Sequence, residues 1–197
     1  MNKLDESKDS KLMGWFKSHM TVQAVVANAF IACLYAVVTM LCAPLSYSFS
    51  QFRFSEMLNL LVFFNPSYTI GLTIGCLLAN LMSVAGVFDI LFGTLATLIS
   101  CILMVLLSKF VKNLFLNSLI PSLINAIIVP FVLFLAGIGV DGVDNAVVAY
   151  WIMFGFVFLG EFVCITCIGY PLFLILTKKS KGFYNLILAN RNLDYKW

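Results

Sequence analysis

The sequence predicts an all-α integral membrane protein folded as a bundle of six transmembrane helices. Three observations carry that expectation. The 197 residues are 62% hydrophobic and only 11% charged, with a mean hydropathy of +1.02, whereas soluble domains carry about 25% charged and about 45–50% apolar residues. A water-soluble fold of this size could not hide so much apolar side chain. The apolar residues also fall in long continuous runs, near the roughly 20 residues that cross the hydrocarbon as a helix. Finally, the runs lack the alternation of barrel strands, and outside a closed barrel only a helix satisfies its own backbone in lipid.

Residues 1–19 are polar and mixed in charge and read as a cytoplasmic tail, with Trp15 and Phe16 placed to meet headgroups. The membrane domain is expected over 20–178. Its first run, Val22 to Ala43, is too long for a signal-peptide core and is expected to be retained; Pro44 closes it. The second, from about Ser55 to Phe64, is short and stopped by Asn65-Pro66, since proline disfavours helix in the preceding residue. A third runs from about Tyr68 to Val84 and a fourth from about Asp89 to Phe110. The fifth, about Ser118 to Ala136, has Pro121 in its first turn and a kink expected at Pro130. The sixth, about Ala146 to Thr177, is long enough to tilt or to bend near Pro171. Residues 179–197 form a second tail.

Lysine placement sets the orientation. Lys17 precedes the first run, Lys109 and Lys112 lie between the fourth and fifth, and Lys178, Lys179 and Lys181 follow the sixth. All fall on one side if every run crosses, which makes both termini cytoplasmic and the location a multi-pass cell membrane. Asp141 and Asp144, in a glycine-rich loop, read as solvated. Arg53, Glu56 and Asp89 then lie near the outer face, with Glu161 close to mid-membrane.

The six cysteines, at 33, 42, 76, 101, 164 and 167, mostly sit inside apolar runs and read as small buried hydrophobes. Cys164 and Cys167 are one turn apart, but no second pair and no histidine cluster joins them, and His19 is the single histidine. No metal and no cofactor is expected. Small residues recur at packing spacing: Gly71, Gly75 and Ala79 on the third helix, and Ala29, Ala32 and Ala36 on the first. The first set reads as intramolecular packing; the second suits either a neighbouring helix or a partner subunit.

Ionisable groups inside a membrane are costly and by default mark function. Glu161, in "FLGEFVCITC", is the clearest case: it binds a ligand, or it bonds backbone or carries a proton. Asp89 stands where a helix N-cap belongs, so capping and ligand binding are both open to it. Asn80 and Asn125 are either interhelical glue or ligand partners. Arg53 and Glu56, three residues apart, are either an exposed ion pair of less than about 1 kcal/mol or the lip of an outward cavity. Three acids and one base in this region favour a ligand rich in N–H donors, and a guanine-like edge matches one carboxylate with two parallel bonds. Tyr35, Phe63, Phe64, Tyr150 and Trp151 are candidates for flat apolar walls.

The chain has no G-x-x-x-x-G-K-[ST] phosphate loop and no H-E-x-x-H or G-x-S-x-G motif, so catalysis is not expected. The enzyme alternative would use Glu161 and Asp89 as an acid/base pair; a structural scaffold would bind nothing.

The blocks "FRFSEMLNLLVFFNP", "GLTIGCLLANL", "VFDILFGTLATL", "INAIIVP" and "GEFVCITCIGYPLFLIL" resemble, in this order, the queuosine-precursor transporter family QueT, which groups substrate-binding S components of energy-coupling factor (ECF) transporters. The resemblance implies a six-helix bundle of the S-component type with cytoplasmic ends. It implies capture of queuine or a 7-deazaguanine pre-queuosine base from outside, with a different vitamin or nucleobase-like nutrient as the alternative cargo. It implies partnership with a coupling transmembrane subunit and two ATPases, and none with nucleic acid. Carried onto this chain, the pattern points to Arg53, Glu56, Asn80, Asp89, Asn125 and Glu161 as substrate-binding residues. Glu161 and Glu56 are expected on the base edge or ligand amine, with Asp89 and Asn125 in support. Ala29, Ala32 and Ala36 are expected to meet the coupling subunit.

Overall fold

Six apolar runs become six helical segments, and the first packs most extensively on the third. The computed structural model describes residues 22–46, 52–83, 86–140 and 142–179. The first helix, α1, spans Val22–Leu41 and is followed by a short turn of helix at Ala43–Ser46. Helix α2, Phe54–Phe64, starts as a 3-10 helix over Phe54–Leu60 and relaxes to α over Leu61–Phe64. Asn65-Pro66 stops it as expected, and the Asn65 side chain accepts from the Ser67 backbone at 3.0 Å to start the next turn. Helix α3 spans Thr69–Asn80, α4 Asp89–Phe110, α5 Leu114–Leu135 and α6 Ala146–Lys179. There is no strand among the described residues.

Four of these, α1, α4, α5 and α6, are long and apolar enough to cross a membrane. The expectation of six full-length crossings is therefore met on length by four, with α2 and α3 shorter. Both are limited by local chemistry. Asn65-Pro66 cuts α2, and α3 stops at Asn80 instead of Val84 because the Asn80 amide turns to bond the Asp89 carbonyl at 3.0 Å.

Two other boundaries differ from the sequence reading. Helix α5 begins at Leu114, four residues before the expected Ser118, because Asn113 caps it by accepting from the Phe115 backbone at 2.9 Å. Pro121 thus falls in the second turn, and the helix continues through both Pro121 and Pro130. Helix α6 widens to a π-helix over Phe162–Gly169, upstream of the bend expected at Pro171. The tails at 1–19 and 179–197 lie outside the described residues, apart from Lys179, as do His19, Lys17, Lys181 and Asp141. Asp144 is exposed.

The bundle is apolar outside and polar within. Val22, Val26 and Phe30 of α1, Phe131 and Phe134 of α5, and Leu159 and Ile175 of α6 are exposed, while Arg53, Glu56, Asn59, Asn80, Asp89, Asn117, Asn125 and Glu161 are buried. Water-soluble proteins place such charges outside; in hydrocarbon the preference reverses. Two apolar clusters bracket the polar layer on α5 and α6. One contains Leu114, Ile165 and Phe173 with Phe63, Phe64 and Met104; the other contains Ala126, Val129, Val132, Met153 and Val157. Asn125 and Glu161 lie between them.

Helices α1 and α3 are held in backbone contact. A Cβ on Gly71 would stand 3.0 Å from Asn28 Cα, and one on Gly75 would stand 2.9 Å from the Ala32 carbonyl oxygen and 2.8 Å from Tyr35 Cβ. Asn28 also accepts from the Gly71 backbone at 2.8 Å, which satisfies a first-turn N–H of α3 that has no partner in its own helix. The glycine face of α3 thus packs inside the bundle, as read from its spacing. Ala32 is buried on the facing surface, Ala36 is also buried, and Ala29 is exposed.

Candidate ligand-binding site

The short α2 begins inside the protein, and its first turn carries Arg53, Ser55 and Glu56 into the interior; all three are at most 2% exposed. Glu56 Oε1 accepts from the Tyr35 hydroxyl at 2.5 Å and from Thr97 at 3.4 Å, while Oε2 accepts from the Asn59 amide. Below it Thr39 and Ser55 share a hydrogen bond of 2.6 Å. Glu56 is therefore a fully bonded junction of α1, α2 and α4. The exposed Arg53–Glu56 pair does not form; Arg53 reaches Asp89 instead, at 3.4 Å.

Asp89 opens a π-helical stretch, Asp89–Gly93, at the start of α4. Its side chain caps no helix, which sets aside the N-cap alternative. Gly93 makes the arrangement possible: a Cβ there would collide with Asp89 Oδ1 and stand 2.9 Å from Asn80 Nδ2. Asn80 Nδ2 also lies 3.4 Å from Cys76 Sγ, and the Thr97 hydroxyl donates to that sulfur at 3.1 Å. Asp89 Oδ1 and Asn80 Oδ1 are buried without a partner.

Glu161 stands at the last α turn of α6 before the second π-helix, Phe162–Gly169. Its Oε1 accepts from Asn125 Nδ2 at 3.1 Å, and Oε2 is buried without a partner. One and two turns back toward the start of α5, Ser122 and Ser118 continue the polar stripe. Ser118 bonds Thr166 at 3.1 Å, and Ser122 has no partner. The first segment of α2 packs against both α5 and the π-helical segment of α6, so the two halves of the layer adjoin.

The structure thus gathers all six polar residues named from sequence into one buried layer: Arg53, Glu56, Asn80 and Asp89 around α2, α3 and α4, Asn125 and Glu161 between α5 and α6. Sequence reasoning missed Asn59, Cys76 and Thr97, which hold Glu56 and Asn80. Asn59 is three residues after Glu56, one turn along the same face; that spacing was the available signal. Both π-helices were missed as well. Each adjoins an interior acid and ends at a glycine, Asp89 with Gly93 and Glu161 with Gly169, and π turns recur at functional sites.

The aromatic walls are mostly elsewhere. Tyr35 belongs to the layer through its hydroxyl. Phe63 and Phe64 pack with Phe173, the Phe64–Phe173 centroids 6.2 Å apart, in the apolar cluster that includes Leu114. Trp151 is exposed, and the Tyr150 hydroxyl donates to the Ile127 carbonyl at 3.0 Å. Phe63 and Phe64 are thus taken up by apolar packing, and Trp151 faces outward. Among the described residues no group of three or more His, Cys, Asp or Glu could hold a metal, and the cysteines are free, with Cys164 buried and Cys167 exposed.

Described residues that are helical throughout their regular structure, with an apolar exterior and an acidic interior layer, define a multi-pass membrane protein. Comparison with known proteins sharpens that class. The profile of the QueT transporter family matches residues 25–178. The chain belongs to the QueT transporter family, which replaces the enzyme alternative for Glu161 and Asp89. It is 43% identical over 96 residues to a queuosine precursor transporter QueT of Lactococcus lactis subsp. cremoris (strain MG1363), a match covering 47% of this chain and 56% of that protein. The chain thus spans a little over half of that relative. No solved structure matches it.

Proposed function

We propose that the chain is the substrate-binding subunit, or S component, of an ATP-driven ECF importer, and that it captures a queuosine precursor from outside for uptake. The cargo on this reading is queuine or a 7-deazaguanine pre-queuosine base. One observation carries it: a buried layer in which Glu161 Oε2, Asp89 Oδ1 and Asn80 Oδ1 await donors. Buried polar groups are normally bonded, so three waiting acceptors in one layer favour a donor-rich ligand. The N1–H and exocyclic amine of a deazaguanine supply two parallel donors for one carboxylate.

All six helices cross on this reading, α2 and α3 included, with both termini cytoplasmic. Lys109, Lys112, Lys178 and Lys179 mark the cytoplasmic end, and the start of α2 and of α4 faces outside. The absence of a phosphate loop in the sequence fits a subunit whose energy comes from two ATPases through a coupling transmembrane protein. Of the three α1 alanines, Ala29 remains exposed for that coupling protein.

The test is equilibrium binding to the purified protein in detergent, with queuine, both pre-queuosine bases, guanine and biotin. Binding of a deazaguanine but neither guanine nor biotin supports the assignment. Binding of biotin, or of no purine-like compound by folded protein, removes it. Uptake in cells that express the coupling and ATPase subunits, absent without them, checks the partnership.

A further inference from the structure

Helices α4 and α5 leave a cleft of about 390 Å³ between them, open on the outer face of the bundle. Every residue lining it is leucine, isoleucine or phenylalanine, and none of the polar-layer residues reaches it. On α4 it runs from Leu103 to Phe110, a length of about 10 Å along the helix axis, and Leu123 and Ile124 face it from α5. Leu107 and Ile120 form a half-buried floor, while Leu103, Phe110 and Leu123 stand exposed on the rim. Ile120 rests in turn on the apolar cluster that contains Met104 and Leu114.

The cleft is charged at one end only. Lys109, in the last turn of α4, and Lys112, in the link to α5, flank Phe110 in sequence, and both are exposed. No acidic residue occurs from Leu103 to Ile124. We propose that the cleft holds one acyl chain of an anionic phospholipid whose phosphate meets Lys109 and Lys112. A narrow apolar trough with a basic end matches a lipid in both parts, tail and headgroup. A partner helix, about 10 Å across, could insert no more than single side chains, whereas an acyl chain lies along the whole trough. Hydrocarbon gives the chain no hydrophobic reason to leave the bilayer for the cleft, so packing holds the tail and the lysines choose the headgroup. Lysines at a membrane surface attract anionic lipids, and basic pockets between helices take their headgroups. Bound this way, the lipid bridges α4 and α5 beside their connection. On the orientation proposed above it belongs to the cytoplasmic leaflet, and it stands whichever cargo the interior layer takes.

The experiment is native mass spectrometry of the full-length protein in detergent, titrated with phosphatidylglycerol or with phosphatidylcholine of the same acyl chains. One phosphatidylglycerol is expected to bind at least about tenfold more tightly than phosphatidylcholine. Lys109→Gln combined with Lys112→Gln is expected to bring the two lipids within about threefold of one another. Lys178→Gln combined with Lys179→Gln removes the same charge at the end of α6 and is expected to leave the preference intact. Leu123→Trp fills the trough from its rim and is expected to weaken phosphatidylglycerol about tenfold. Equal binding of the two lipids by the wild type, or retention of neither, overturns the proposal. So does an equal loss from both lysine pairs, which would mean attraction by overall charge. A folded Leu123→Trp protein that binds as the wild type does overturns the placement in the cleft. Should that variant not fold, the lysine pairs, all at exposed positions, carry the test.

Discussion

The Tyr35 hydroxyl donates to Glu56 Oε1 at 2.5 Å and ties the middle of α1 to the first turn of α2. The bond is fully buried and belongs to a set in which Asn59 and Thr97 also serve Glu56. Tyr35→Phe removes the donor and leaves a buried carboxylate oxygen short of one bond. Losing a hydrogen bond to a buried charged group costs about 1–3 kcal/mol. The melting temperature in detergent is expected to fall accordingly, and an unchanged melt would mean that water replaces the hydroxyl.

Glu56 and Glu161 are predicted to separate cleanly on mutation, although both are interior acids. Glu56→Gln puts an amide N–H against groups that are themselves donors, and about 2–4 kcal/mol of stability is expected to go with the mismatch. Glu161→Gln retains the Asn125 bond and removes a buried charge that no ion pair holds, so its stability cost is expected near zero or favourable. Thermal melts of the two variants, read side by side with ligand binding, check the division. Equal destabilisation by both would contradict it.

The placement of these two acids shows what the sequence could and could not say. Charges at 53, 56, 89 and 161 within apolar runs are visible in one dimension, because hydrocarbon tolerates them only for a reason. Their pairing is not visible. Arg53 pairs with Asp89, 36 positions away, and not with Glu56 at helical spacing, since Arg53 stands just before the helix with non-helical dihedrals (φ −95°, ψ 89°). The π-helices were hidden for a related reason: they depend on how Gly93 and Gly169 let neighbouring groups approach, and a Cβ on Gly169 would stand 2.8 Å from Met57 Cβ of α2. The alanines of α1 illustrate the same limit. Spacing shows a small-residue face but not which helix takes it, and α3 approaches at Ala32 because Gly75 has no Cβ to hold it off.

Arg53 and Asp89 support a further prediction. Both are nearly inaccessible, and removing one charge strands the other. Arg53→Ala is expected to destabilise the protein by about 3–5 kcal/mol, the usual cost of breaking a buried pair from one side. Adding Asp89→Asn should return part of that loss, since the stranded charge is gone. A double-mutant cycle on unfolding in detergent measures the coupling; strictly additive effects would show that the 3.4 Å contact contributes nothing.

Gly93→Ala tests whether the Asp89–Asn80 arrangement serves binding rather than folding alone. The new methyl would collide with Asp89 Oδ1 and approach Asn80 Nδ2 to 2.9 Å. Both contacts are with side chains, so the helix can survive by moving them. Overpacking of this kind costs about 1–3 kcal/mol, and the displaced groups include the Oδ1 atoms of Asp89 and Asn80 that have no partner. Helix content by circular dichroism is therefore expected to stay near wild type while deazaguanine affinity falls about tenfold or more, a loss of about 1.4 kcal/mol or greater. Gly86→Ala in the preceding loop is the matched control. Gly86 has a φ of +58° and no neighbour within 4 Å, so its substitution strains the backbone without touching either side chain. A Gly93→Ala protein that binds as well as the Gly86→Ala protein would show that the ligand does not use this end of the layer, and that Glu161 and Asn125 hold it alone.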